Sequence, residues 1–194
     1  MAPSLPPAAS FDYAAFYCEE NVLRLLSSPA LAGRRAWALL VSNPGRSVAM
    51  RAQRAGRPPE GLVSWDYHVL AVALLEGPEG EAAYALDLDS LLAFPVRLAD
   101  YLAGSFAAAA DPAGRPLFRL VPAARYAAEL ASDRSHMRAP DGSWLVPPPS
   151  WEAPGGGRPS NLLDWIDMGK PSPGAVLDPA GLRAFAARPE AGDS

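Results

Sequence analysis

Blocks of apolar and polar residues succeed one another along this chain with changing period. Val22, Leu23, Leu25 and Leu26 follow the polar stretch Glu19-Glu20-Asn21, and the spacing predicts a short helix over residues 18–27. Residues 37–42 form a short apolar run closed by Asn43-Pro44-Gly45, which reads as a buried strand ended by a turn. Residues 46–54 read as a second, more exposed strand and residues 57–61 as a loop. Residues 64–75 and 80–89 are both strand-like, and Glu76-Gly77-Pro78-Glu79 between them has turn chemistry, which predicts an antiparallel hairpin. Pro95 opens a predicted helix to about residue 110, with Leu98, Leu102 and Phe106 at near-helical spacing. A strand over 117–121 and a short helix over 123–131 follow. Residues 139–160, with a proline triplet and a glycine triplet, read as a long irregular surface segment. A helical turn within 161–168 and a last helix to about residue 188, started by the Asp178 cap and Pro179, complete the pattern. The expected class is α/β: a single domain with a mainly antiparallel sheet flanked by helices.

Composition narrows the picture. With 194 residues, 49% hydrophobic and 20% charged, the chain fits one globular domain with a genuine core. The expected organisation is a proline-bearing disordered lead-in over residues 1–10, a domain over 11–188 and a tail over 189–194. A net charge of −4 with dispersed basic residues offers no footprint for DNA or RNA. The first ten residues hold no basic n-region, and no apolar stretch reaches the ~18 residues a membrane span needs. A cytoplasmic protein that does not engage a membrane is expected, and a monomer, since no heptad pattern or obvious pairing strand stands out.

Candidate chemistry centres on the single cysteine. Cys18 cannot form an intramolecular disulfide or a multi-cysteine metal site, so it is either an inert core residue or a nucleophile. Its place at a helix start favours a thiolate through the backbone N–H groups and the dipole, while Glu19 and Glu20 oppose ionisation. His68 and Asp87 lie in the two predicted hairpin strands. Pairing Leu75 with Gly80 sets His68 opposite Asp87 with Cβ atoms about 5 Å apart, close enough for a carboxylate to orient an imidazole. A one-residue slip would send Asp87 to the other face. Asp89 shares the face of Asp87 and is an alternative partner; His136, in a polar loop near Arg134, is an alternative imidazole. These two histidines are too few, with this ligand set, for a zinc site.

Four separated motifs occur in order: Tyr17-Cys18-Glu19-Glu20-Asn21; Trp65-Asp66-Tyr67-His68-Val69; Asp87-Leu88-Asp89 with Phe94-Pro95; and Ser132-Asp133-Arg134-Ser135-His136-Met137 followed by Pro147-Pro148-Pro149. Together they resemble the protein N-terminal glutamine amidohydrolase family over roughly residues 11–185. The resemblance implies a papain- and transglutaminase-like catalytic core, with Cys18 as nucleophile, His68 as base and Asp87 as its orienter. It implies hydrolysis of the side-chain amide of an N-terminal glutamine on proteins or peptides, with release of ammonia and no cofactor or metal. Recognition of the free α-ammonium asks for a carboxylate near the thiol. Glu19, Glu20, Asp66, Asp89 and Asp133 are available, and Asp66 and Asp89 flank the triad members in sequence. A cysteine protease or transglutaminase-like acyl transferase could use the same triad, and a non-catalytic binder of N-terminal residues could keep the fold.

Overall fold

The computed structural model describes residues 3–106 and 114–187. Eight strands and five helices organise them: β1 (Ala36–Ser42), β2 (Val48–Met50), β3 (Val63–Trp65), β4 (His68–Gly77), β5 (Gly80–Leu86), β6 (Val96–Arg97), β7 (Leu117–Pro122) and β8 (Ala175–Leu177), with α1 (Cys18–Leu26), α2 (Leu98–Ser105), α3 (Ala123–Glu129), α4 (Leu162–Ile166) and α5 (Pro179–Ala187). Six strands form one antiparallel sheet in the order β6-β5-β4-β1-β7-β8, and β2 pairs with β3 in a separate ribbon.

The two central strands explain the layering. All of β1 and residues 68–75 of β4 are buried, because both faces of the sheet are covered, and such strands read as continuous apolar runs rather than alternating ones. Ala38, Leu40, Val69, Ala71 and Leu75 face α1, α3 and α4 through Val22, Leu25, Tyr126 and Trp165. Leu39, Val41, Leu70 and Val72 face α2 and α5 through Leu98, Tyr101, Leu182 and Phe185. The result is a helix–sheet–helix sandwich. The Asp178 side chain accepts the N–H of Gly181 at 2.7 Å, the cap expected ahead of α5.

Several expectations need correction. The hairpin closes two residues nearer its tip than expected: Gly77 pairs with Gly80 and Leu75 with Ala82. Gly80 adopts φ +100°, so the chain re-enters the ladder directly after Pro78-Glu79. A shift of two preserves faces, so His68 and Asp87 stay on one side of the sheet, but Asp87 now falls just past the end of β5 and diagonal to His68. The predicted strand 64–75 is broken at Asp66-Tyr67, where the chain leaves the β2–β3 ribbon to join the main sheet. Pro95 does not open α2; it follows a cis peptide and leads into β6. Residues 107–110 of that predicted helix and Arg188 of the last one lie outside the described residues. In the lead-in, Leu5 and Ala8 pack against the core and residues 8–10 form a 3-10 turn. The short edge strands β6 and β8 carry too few residues for a periodic signal.

Arg119 of β7 is the largest fully buried side chain. Its guanidinium donates to the carbonyl oxygens of Trp165 (2.7 Å), Asp167 (2.9 Å), Lys170 (3.0 Å) and Ser172 (3.0 Å), tying the chain after α4 to the sheet. Arg119→Met keeps the apolar stem but strands these acceptors, and is expected to lower stability by about 3 kcal/mol. Urea unfolding of the two proteins measures the difference.

Candidate active site

Cys18 is the first residue of α1, and the approach to it is held from several sides. Phe16 takes a left-handed backbone conformation, φ +67°, which turns the chain into the helix. The Asn21 amide brackets Ala14, accepting its N–H and donating to its carbonyl at 2.8 Å each. The Tyr17 hydroxyl donates to the carbonyl of Val146 at 2.9 Å, so the irregular segment after α3 also braces the helix start. Cys18 is 8% exposed, and its Sγ lies 3.9 Å from Glu19 Oε2 as a weak S–H donor.

His68 opens β4 opposite Val41 and stacks on Trp65, with ring centroids 5.9 Å apart and planes at 18°. Its Nε2 lies 3.1 Å from Asp87 Oδ1, which leaves Nδ1 as the ring nitrogen for a second partner. Asp87 also accepts the N–H of Asp89 (2.9 Å) on Oδ1, and the Tyr101 hydroxyl (2.7 Å) and Gln53 amide (3.3 Å) on Oδ2. Burial alone would raise the Asp87 carboxyl, but the His68 charge and these donors outweigh it and hold the group below its ordinary range. Burial likewise pushes His68 down, and the charge and hydrogen bond of Asp87, with Asp89 behind, overcome it so that the imidazole is more basic than usual.

These groups open onto a cavity of about 320 Å³. Cys18, Trp65, Asp66, Tyr67, His68, Asp89 and His136 line it, with Phe16, Leu145 and Leu163 at its mouth. Asp87 stands behind His68. Asp89 is buried, accepts the Tyr13 hydroxyl at 2.6 Å, and is raised by burial. Asp66 is half exposed, accepts the Tyr67 N–H at 3.0 Å and faces Arg46 at 3.6 Å. Two of the other carboxylates named from the sequence are engaged elsewhere: Glu20 is clamped by Arg134 (2.7 and 2.8 Å) and Trp151 Nε1 (2.7 Å), and Asp133 is exposed and accepts the Ser135 N–H. His136 meets the Tyr67 hydroxyl at 3.2 Å rather than Asp87.

The helix start does not yield a ready thiolate. Burial drives the Cys18 thiol well above its ordinary value, Glu19 and Asp89 add to this, and the hydrogen bond from the Val69 N–H offsets only part of it. Desolvation outweighs a dipole from a nine-residue helix. Among the described residues, His68, Asp87 and Asp89 are the one group placed to share a metal ion, with ligand atoms within 4.8 Å of one another. In the structure each oxygen of Asp87 accepts two hydrogen bonds, one of them from His68.

Sequence reasoning missed Tyr101, Gln53 and Tyr13, which fix the two aspartates, and the deep burial of Glu19. A tyrosine on an apolar helix face needs a hydroxyl partner, and that was the signal available for Tyr101. Glu19 is fully buried, and desolvation lifts its carboxyl to about 7. A carboxyl whose folded value exceeds its unfolded value binds its proton more tightly in the native state, so stability is full below about 4.5 and is lost as pH rises toward 7. Glu19→Gln abolishes that loss: relative to the parent, its stability is expected to be about 2.5 kcal/mol better at pH 8 than at pH 5. Urea unfolding at the two pH values gives the comparison.

The family model described as N-terminal glutamine amidase matches residues 13–186. A Drosophila ananassae protein named protein N-terminal glutamine amidohydrolase is 39% identical over 152 residues, and proteins of the same name from Drosophila grimshawi and Drosophila pseudoobscura pseudoobscura are 40% identical over 153 residues. Each alignment covers 75% of this chain and 73% of the relative. The family match runs from Tyr13, which bonds Asp89, to the last turn of α5, and so encloses the whole cavity and both helix layers: this chain belongs to the N-terminal glutamine amidase family.

Proposed function

We propose that this chain hydrolyses the side-chain amide of an N-terminal glutamine on a protein or peptide, giving glutamate and ammonia through a thioester on Cys18. The observation that carries the reading is the buried His68–Asp87 contact of 3.1 Å, with His68 and Cys18 lining one cavity. Asp87 fixes the imidazole with Nε2 as its partner, so Nδ1 is the nitrogen that exchanges protons with the reacting groups. As Sγ attacks the carboxamide carbon, the thiol proton passes to His68. The oxyanion is held by backbone N–H groups near the start of α1. Collapse of the adduct breaks the C–N bond, and the His68 proton leaves with ammonia. Water then gives a proton to His68 while its oxygen attacks the thioester, and the proton returns to sulfur as glutamate is released.

A thiol that rests protonated suits this sequence, because sulfur becomes anionic only as His68 takes the proton. The α-ammonium of the substrate is assigned to Asp89, whose carboxylate faces the cavity with one oxygen on Tyr13, and to Asp66 nearer the mouth. Fixing the ammonium fixes the reach to sulfur. Asparagine, one methylene shorter, leaves its carboxamide short of the thiol, and a misplacement of about 1 Å can cost ~100-fold. A helix that sets a cysteine against an antiparallel sheet, with the histidine on one strand and the aspartate just past the end of its neighbour, supports a papain- and transglutaminase-like core, with the described residues from 11 to 187 as one folded unit. No helix among the described residues is long and apolar enough to cross a membrane. A cytoplasmic setting, where a lone thiol stays reduced, completes the reading.

Cys18→Ala and Cys18→Ser are expected to abolish ammonia release while far-ultraviolet circular dichroism is unchanged; substantial turnover by the alanine variant would remove the assignment. Among Gln-X, acetyl-Gln-X, X-Gln and Asn-X peptides, only Gln-X is expected to react well, the others at least ~100-fold more slowly. Equal rates on X-Gln and Gln-X would point to a general glutaminase or transglutaminase-like enzyme, and backbone cleavage to a protease.

A further inference from the structure

The mechanism makes no use of Glu19, although its carboxyl lies against the thiol. It is fully buried beside Cys18, Oε2 lies 3.9 Å from Sγ, and the Tyr67 hydroxyl meets the same oxygen at 3.2 Å. The other oxygen, Oε1, is buried with no hydrogen-bond partner, and His136 Nε2 stands 3.5 Å from it. The surrounding charges do not neutralise it. From α1 it faces Cys18 and Glu20, from α3 the Tyr126 hydroxyl, which donates to Glu19's own carbonyl at 3.0 Å, and from the segments before β4 and after α3 it faces Tyr67, His136 and Arg134. Arg134 is the permanent cation of this set, and its Nε and Nη2 are spent on Glu20. Around the thiol itself stand Asp87, Asp89 and His68.

We propose that Glu19 is a positioning residue for the reaction: its carboxyl, seated behind the thiol and facing His136, keeps Cys18 protonated until His68 withdraws the proton. The inference rests on Cys18 being the nucleophile. A glutamine would make the same contact with Tyr67 without the cost of burying an acid, so what the acid adds is its charge and its proton. The carboxyl has two useful states. When ionised it accepts the S–H and opposes a second negative charge about 4 Å away, an interaction worth well over one pKa unit at protein-like dielectric. When protonated, at the otherwise unpartnered Oε1 that stands 3.5 Å from His136 Nε2, it removes the field at sulfur. Burial places the change of state near pH 7.

The test is the rate at which iodoacetamide alkylates Cys18 as a function of pH, in the unmodified protein and in Glu19→Gln. In the unmodified protein the rate should rise with pH, flatten near pH 7 as Glu19 ionises, and rise again above it. In Glu19→Gln the flattening should vanish, and alkylation at pH 8 should be at least about tenfold faster. Loss of packing alone would not remove an inflection. A single smooth titration in the unmodified protein, or equal rates for the two proteins at pH 8, would overturn the proposal; should Glu19→Gln be recovered unfolded, the unmodified profile decides alone. Alkylation needs no substrate. A protein that alkylates as described yet releases no ammonia from Gln-X peptides would lose the functional reading while the hold of Glu19 on the thiol stands.

Discussion

A carboxylate taken out of water has to be surrounded by donors, and Asp87 is the point at which this fold meets that requirement. Its two oxygens collect His68 from β4, Tyr101 from α2, Gln53 from the loop after β2 and the N–H of Asp89. Each donor comes from a different segment, so satisfying one charge fixes the relative position of the sheet, the second helix layer and the loops that carry Gln53 and Asp89. Leaving such a charge without its partners costs about 3–5 kcal/mol, a large share of the stability of a domain this size. The same contact sets the orientation and basicity of His68. Architecture and chemistry therefore rest on one group.

The acids at the start of α1 show the same physics with two outcomes. Glu20 is buried against Arg134, and the Trp151 indole completes its shell, so the pair also anchors the irregular segment through the carbonyls of Pro149 and Trp151. Glu19, one residue earlier and equally buried, has no cation of its own and shifts toward its neutral form. Adjacent positions of one helix project in different directions, one toward a guanidinium and the other toward a thiol, a phenol and an imidazole. The long segment that reads from composition as surface loop is thus a structural brace for the helix that carries Cys18.

Much of the fold was legible along the chain. The helix at Cys18, the buried strand ending at Ser42, the strand at Leu117, the capped helix after Asp178 and the hairpin around Pro78 all follow from local period, turn chemistry and capping, which act over a few residues. The pairing of His68 with Asp87 was legible as well, although the ladder is shifted by two: side-chain direction in a strand repeats every second residue, so an even error in register leaves the faces intact. The break at Asp66-Tyr67 and the two short edge strands were not legible, because their signal lies in partners distant in sequence.

By itself, the sequence determined which residue types were available and in what order: a single thiol at a helix start, two imidazoles, and carboxylates alternating along a strand. Tertiary structure alone decided the environments. The helix start argued for an ionised thiol, and burial with Glu19 alongside reversed it. Five acids were candidates for a site role, with Asp66 and Asp89 singled out by their place in sequence; packing put Glu20 on an arginine, Asp133 in solvent, Glu19 beside the thiol, and Asp66 and Asp89 on the cavity wall. The reason is physical: secondary structure follows from interactions between near neighbours, whereas the state of an ionisable group depends on desolvation and on charges brought from distant parts of the chain, and those exist only once the layers have closed.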